Sequence, residues 1–259
     1  MSFASPTMER WDGFLKKIAQ RYEEILAEAE EGFKGLAAEN PEDSRSLLNA
    51  VNAIQMRLIG LEGKMGDTMS DKISDSLSGA ALDEAVNMME NTRFSLREKW
   101  ETLRVKTVAG FYRAMTEKVQ EQLRVDRDCT QCGGTFTIPE LKRPSSLKCE
   151  YCGAVNNVTP TQLVGEYFAM ASIAFAEEAV AEKRFAIERL ENIANRHRGL
   201  TRAELDKLEA MERDYWESYV IEMEKLSPQT AENRERFIEN RMQVWRHSHR
   251  DIHVPRMLD

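Results

Sequence analysis

Apolar residues recur at alternating spacings of four and three near the start of the chain. The series runs Trp11, Leu15, Ile18, Tyr22, Ile25, Ala29 and Leu36, with one step filled by Gly32. That period lays them along one face and predicts the seam of a packed helix over 8–38. Asn40 and Pro41 then read as an N-cap followed by proline at the first helical position. Leu47, Val51, Ile54, Leu58, Leu61 and Met65 repeat the pattern. Residues 1–66 therefore predict a helical hairpin, antiparallel because the connection is short. In residues 67–80 the periodicity weakens, and Gly66 and Gly79 sit among Ser70, Ser74, Ser76 and Ser78. Each glycine costs a helix about 1 kcal/mol relative to alanine, so this stretch reads as a weakened helix or a hinge.

From Ala81 to Arg127 there is no proline and one glycine, Gly110. Apolar positions recur at Val86, Met89, Leu96, Trp100, Leu103, Phe111, Met115 and Val119. One helix of about 45 residues follows, roughly 65–70 Å long at 1.5 Å per residue. Thr159, Pro160 and Gln162 open a second long helix, 160–198, rich in alanine. Residues 200–259 predict further helices. The first starts at a Thr201–Glu204 capping box and buries Leu205, Leu208, Met211, Tyr215 and Val220. The last carries Phe237, Ile238, Met242 and Trp245 and stops at Pro255. No repeat of 20–50 residues stands out.

The chemistry lies between the two long helices. All four cysteines of the chain fall there as two pairs, Cys129/Cys132 and Cys149/Cys152, sixteen residues apart. C-x2-C-x15–20-C-x2-C is the spacing of a four-thiolate zinc site. Gly133 and Gly153 follow the pairs, where the turn of a metal-binding knuckle takes a positive φ. The tightened turn aims backbone N–H groups at the sulfurs. A disulfide pairing and a rubredoxin-like iron are the alternatives; the iron site normally has its pairs further apart. If four thiolates hold one ion, residue 129 comes close to residue 152. The flanking helices then run back antiparallel, with the cysteine segment as the tip of their hairpin.

Residues 128–158 resemble the zinc-ribbon group, over roughly an eighth of the chain. The resemblance implies a small β-hairpin fold with Cys129, Cys132, Cys149 and Cys152 as ligands of one structural Zn2+. Such modules serve in transcription factors, polymerase subunits, ribosomal proteins and enzymes, so the motif specifies metal and not activity. Strand signals sit around the cysteines, at Thr135–Ile138 and at Ala154, Val155 and Val158.

The chain has 259 residues, 42% hydrophobic and 31% charged, with only 7 prolines, which suits long solvated helices. Its net charge of -8 argues against a surface-wide nucleic-acid binder and leaves room only for a local patch. Lys142, Arg143 and Lys148, near Phe136 and Tyr151, are such a patch, offset by Asp128, Glu140 and Glu150. No apolar run is long enough for a transmembrane helix. Glu9 and Asp12 interrupt any signal-peptide core. Thiolates committed to metal suit a reducing compartment, so a cytoplasmic location is expected.

Three further groups are candidates for chemistry. His247, His249 and His253 form H-x-H-x3-H, a possible metal cluster or a set of cations at a helix C-terminus. Asp67, Asp71 and Asp75 fall at i, i+4, i+8, a possible Mg2+ stripe or an exposed acidic face. Glu177, Glu178 and Glu182 have the same standing. Walker, GxGxxG and GxSxG motifs are absent.

The expected fold is all-α: an elongated antiparallel bundle of coiled-coil-like hairpins with one inserted zinc ribbon, 128–159. The expected function is non-catalytic, a scaffold or adaptor binding protein partners. The seams of 1–66 can dock within the chain or on a second copy, and a homo-oligomer is favoured. The alternatives are a factor contacting RNA or DNA through the ribbon tip, and a metal-dependent enzyme using the histidines or aspartates.

Overall fold

The computed structural model describes residues 6–197, 200–228 and 230–249, with side chains described outside 193–197. Its helices are α1 (Pro6–Glu39), α2 (Ser44–Thr68), α3 (Ala80–Leu123), α4 (Gln162–His197), α5 (Arg202–Glu224) and α6 (Ala231–Ser248). Four short strands lie between α3 and α4: β1 (Val125–Asp128), β2 (Thr135–Ile138), β3 (Ser145–Lys148) and β4 (Val155–Val158). The protein is mostly helical with a small two-hairpin strand region.

The periodic stripes are the buried faces, except that Val86 on α3 is exposed and Ala85 beside it is buried instead. In α1 they are Trp11, Leu15, Ile18, Tyr22, Ile25, Ala29 and Phe33; Phe33 continues the seam and Leu36 is only half-buried. In α2, Leu47, Val51, Leu58, Leu61 and Met65 are buried. The cap of α2 is Asp43, whose carboxylate accepts the Ser46 N–H at 3.0 Å. Asn40 instead accepts the Asp43 N–H through its carbonyl at 3.1 Å, closing the turn before the helix. At its C-terminal end α2 passes into a π-helical turn, Met69–Ile73, which keeps Met69 and Ile73 inward. The link then turns at Gly79, whose φ of 55° disfavours any residue with a Cβ.

Side-chain pairs fix the direction of each helix. The Trp11 indole donates to the Ala85 carbonyl at 2.9 Å, and Lys99 pairs with Glu23, so α1 and α3 run parallel. Helix α2 runs against both: Arg57 meets Glu28 at 3.4 Å, Arg97 meets the buried Glu62 at 2.6 Å, and Lys118 meets Glu42. Helix α4 runs against α3, through Glu98–Arg189, Arg104–Glu177 at 3.0 Å, Thr116–Tyr167 at 2.9 Å and Gln122–Thr161 at 2.7 Å. Helix α5 turns back along α4 by Lys183–Asp214 at 2.7 Å, and α6 along α5 by Arg246–Glu209 at 2.6 Å.

Helix α4 belongs to two cores. Its first half, from Leu163 to Ala174, closes the core built by α1, α2 and α3. Its second half, with Ala176, Val180 and Ile187, packs on α5 and α6 around Leu208, Tyr219, Val220 and Met242. The alanines of α4 permit close neighbours on both sides.

Besides the Asp43 cap, the structure departs from the sequence expectations at the ends of the two long helices. Helix α3 ends at Leu123 rather than near 127, because Val125–Asp128 pairs in register with Thr135–Ile138. Helix α4 is capped by Thr161, whose hydroxyl accepts the Val164 N–H at 3.3 Å, and not by Thr159. Of the two dockings open to the seams of α1 and α2, the one within the chain is seen: Leu15 is 3% exposed and Ile54 half-buried.

Leu58→Ala should therefore destabilise the protein by about 2–5 kcal/mol, because Leu58 is fully buried and its removal leaves a cavity. Met56→Ala, two positions away and exposed, should shift stability by no more than about 0.5 kcal/mol in the monomer. Denaturant unfolding of dilute protein measures both.

Candidate metal centre

Each cysteine pair sits in the turn of one β-hairpin. Strand β1 pairs with β2, aligning Asp128 with Thr135, and β3 pairs with β4, aligning Lys148 with Val155. The two units repeat at an offset of twenty residues: Cys129, Cys132, Gly133 and Ile138 recur as Cys149, Cys152, Gly153 and Val158. The sequence shows little of this repeat, since few positions beyond the cysteines and glycine are alike.

Both turns use the same hydrogen bonds. Gly133 N–H donates to the Cys129 carbonyl at 2.9 Å, and Cys129 N–H to the Gly134 carbonyl at 3.0 Å. Gly153 and Cys149 do the same, with Cys149 N–H donating to Ala154 at 2.8 Å. Gly133 and Gly153 hold φ of 72° and 77°, the left-handed conformation that the turn requires.

The four sulfurs converge. All lie within 4.8 Å of one another, with Cys129 Sγ 3.6 Å from Cys152 Sγ and Cys132 Sγ 3.8 Å from Cys149 Sγ. A tetrahedron with metal–sulfur bonds of about 2.3 Å places its sulfurs about 3.8 Å apart. A disulfide would need about 2.05 Å, and all four cysteines are free. The cluster is thus positioned to bind one metal ion with every coordination position taken by protein. Cys129 and Cys149 are buried, and Cys132 and Cys152 are exposed.

Without a cation the four thiols cannot all ionise together. Backbone N–H groups of Cys132 and Gln131, with the Asn156 side chain, hold the Cys129 thiol down to about 6. Cys152 receives the Ala154 N–H, yet its neighbouring thiols and burial outweigh that bond and push it up to about 12. One site prepared as a thiolate beside one that keeps its proton is the arrangement a divalent cation resolves.

Asn156 is a participant that residue-type reasoning missed. It is buried on β4, and its amide donates to Cys129 Sγ at 3.5 Å and to the Ala154 carbonyl at 3.2 Å. Its carbonyl oxygen accepts the Thr130 N–H at 3.0 Å and the Thr130 hydroxyl at 3.1 Å. Asn156 therefore ties the second hairpin to the first knuckle and orients a ligand sulfur. The equivalent position of the first hairpin is Phe136. Aligning the two halves is the one sequence signal that exposes the asymmetry.

The hairpins are anchored to the helices at their base. Ile138, Leu141 and Val158 form a small core of their own, and the Leu141 N–H donates to the Leu123 carbonyl at 2.9 Å. Lys142 pairs with Glu140 at 2.8 Å and lies 5.4 Å from the Phe168 ring on α4.

The other candidate groups do not gather into a ligand set among the described residues. His249 stacks on Trp245 at 4.1 Å, and its Nε2 lies 3.2 Å from Glu191. His247 is exposed, and His253 lies outside the described residues. Asp67, Asp71 and Asp75 are exposed, and the π-helical turn interrupts their stripe. Glu177 and Glu178 pair with Arg104 and Arg113 on α3. Among the described residues the cysteines form the one group of three or more ligand-type side chains able to share an ion.

No protein-family model matches the chain. No curated protein and no solved structure matches it either.

Titration of metal-free protein with Co2+ should saturate at one equivalent and give the visible bands of a tetrahedral tetrathiolate. Asn156→Ala should weaken that binding by about 10–100-fold while keeping the stoichiometry. An unchanged affinity in the variant counts against its role.

Proposed function

We propose that the protein is a non-catalytic helical scaffold, with a structural Zn2+ in a zinc ribbon at the turn of its α3–α4 hairpin. It binds other protein chains through that tip and through its helical body, and it works in a reducing compartment such as the cytoplasm. Four thiolates leave no open position for a substrate, which suits a structural ion. The zinc reading rests on the all-sulfur tetrahedral donor set and on the resemblance to zinc ribbons.

The observation that carries the adaptor reading is the face of the tip. Tyr151 is 76% exposed and Val155 64% exposed. The Tyr151 ring lies across the other knuckle so closely that a Cβ at Gly134 would sit 2.6 Å from its Cδ2. An exposed aromatic on a metal-fixed turn loses little entropy on binding, the property of an interface anchor. Lys142, by contrast, is engaged with Glu140 and Phe168 at the ribbon base. Lys148 lies beside the second knuckle, its Cε 3.5 Å from a Cβ built at Gly153, so the basic cluster is split between base and tip, and protein is favoured over nucleic acid as the partner.

Purified protein should carry one zinc per chain by elemental analysis; an iron–thiolate spectrum in every preparation would overturn the zinc assignment. Zinc-loaded protein and its Tyr151→Ala variant, used as baits in lysate of the source cells, should differ in one protein partner that survives nuclease treatment. Capture that nuclease abolishes, or that the variant retains in full, contradicts the tip as a protein-binding surface.

A further inference from the structure

The outer face of α2 is unlike the rest of this highly charged surface. Met56 is 67% exposed and Ile59 48% exposed on adjacent turns. Asn52, Ala53, Gly60 and Gly63 surround them, all exposed and uncharged. From Asn49 to Gly63 the strip spans fifteen positions, about 21 Å along the axis at 1.5 Å per residue, with exposed Arg57 at its edge turned to Glu28 and Glu62 buried on the other side. Met170 on α4, 37% exposed, borders the same shallow cavity as Asn52 and extends the patch.

The two glycines need a reason. Each costs a helix about 1 kcal/mol relative to alanine. A Cβ built on Gly60 or Gly63 meets nothing within 4 Å, and neither has a positive φ. No contact inside the chain uses the missing side chain. What the glycines do is lower the surface beside Met56 and Ile59, which lets a second helix approach closely and accept those side chains as knobs.

The charges at the two ends of the strip identify that helix. Arg45 and Asp67 flank it on the same face, both exposed, with Asp43 of the helix cap also close to Arg45. They lie eleven positions before and eleven after Met56. In an antiparallel pairing of two α2 helices about a twofold axis at Met56, Arg45 of each copy meets Asp67 of the other. The same register sets Asn52 against Gly60, Asn49 against Gly63, and Ala53 against Ile59, a large residue against a smaller one each time. An isologous interface requires this self-complementarity. Parallel pairing would instead place Arg45 on Arg45 and Asp67 on Asp67.

We propose that α2 is the dimer face of this protein, pairing antiparallel with α2 of a second copy about a twofold axis at Met56. This deepens the reading of the helical body as a protein-binding surface, naming a second copy as its partner, and rests on that reading. The α1 and α2 seams are consumed by the chain's own core, and the opposite face of α2 serves the second copy. A contact dominated by one helix pair is small, so the dimer is a reversible one.

The test is sedimentation equilibrium of zinc-loaded full-length protein over a dilution series at low ionic strength, where rim charges are least screened. Wild type should show a monomer–dimer equilibrium. Met56→Glu should weaken it by about tenfold or more, with unchanged thermal unfolding at a concentration where both are monomeric. Arg45→Asp and Asp67→Arg should each weaken association, and the double variant should restore it. Within one chain these residues stand 22 positions apart on a helix, about 33 Å, so the rescue reports only on contact between copies. A dimer indifferent to Met56→Glu, or a double variant no better than the singles, overturns this face and leaves self-association to another surface. A wild type monomeric throughout overturns both, while the ribbon tip is judged separately by Tyr151→Ala.

Discussion

The convergence of four cysteine sulfurs on one point is the constraint on which the middle of this molecule depends. It closes the chain between residues 129 and 152 and brings the end of α3 beside the start of α4. The two helices then run back antiparallel, joined by Gln122–Thr161 at the tip, Thr116–Tyr167 lower down and Arg104–Glu177 beyond. Apart from Cys129, Cys149 and Asn156 at the knuckles, the two hairpins bury Ile138, Leu141 and Val158, with Val125, Phe136 and Leu147 partly covered. That is far too little apolar surface to order some thirty residues. A structural ion contributes on the order of 10 kcal/mol or more in small zinc modules, so an ion bound by the four sulfurs would supply the stability that this small core does not. The helices have the opposite balance: each buries a continuous stripe, and together they form two cores that share α4.

This division explains which features were legible in the sequence. Helical stripes are visible because a period near 3.6 places Trp11, Leu15 and Ile18, or Leu47, Val51 and Leu58, on one face whatever they pack against. The candidate metal site is visible because four thiols in one segment with glycine after each pair have few other uses. The Thr201–Glu204 capping box is visible because both halves of the reciprocal bond are local, and it forms as read. Choices between equivalent local solutions are hidden. Asn40 and Asp43 are both good caps, and Thr159 and Thr161 likewise; the turn geometry decides between them. Strands β1 and β3 carry weak strand signals, since Val125–Asp128 and Ser145–Lys148 become strands only by pairing with β2 and β4. The bond from Asn156 to Cys129 crosses 27 positions and has no local sign. The parallel course of α1 and α3 follows from tertiary packing alone.

Two surfaces remain after the cores are accounted for, and they differ in kind. The knuckle face is small, shaped by two glycine turns around the cysteines, and exposes one large aromatic side chain, Tyr151. The α2 face is long and smooth, lowered by glycine, with Arg45 and Asp67 at its ends and Arg57 and Lys64 along its edge. A scaffold that pairs through its body and presents a rigid tip at the end of a long hairpin would display two such tips per dimer. Effective concentration then strengthens any bivalent partner without a new contact. The buried polar groups are structural: Glu62 is held by Arg97, and Glu212 by Trp216 at 2.8 Å and Arg184 at 3.4 Å. They join neighbouring helices and fix which faces remain outside.

Hydrogen exchange, mapped along the chain before and after removal of the metal by a strong chelator, tests the division between tip and body most directly. Without metal, protection should vanish across Val125–Val158 and at the adjoining ends of α3 and α4. The cores around Tyr22, Trp100 and Leu208 should keep theirs. A ribbon that stays protected without metal, or helices that lose protection throughout, would contradict the claim that the ion staples a tip onto a body that stands without it.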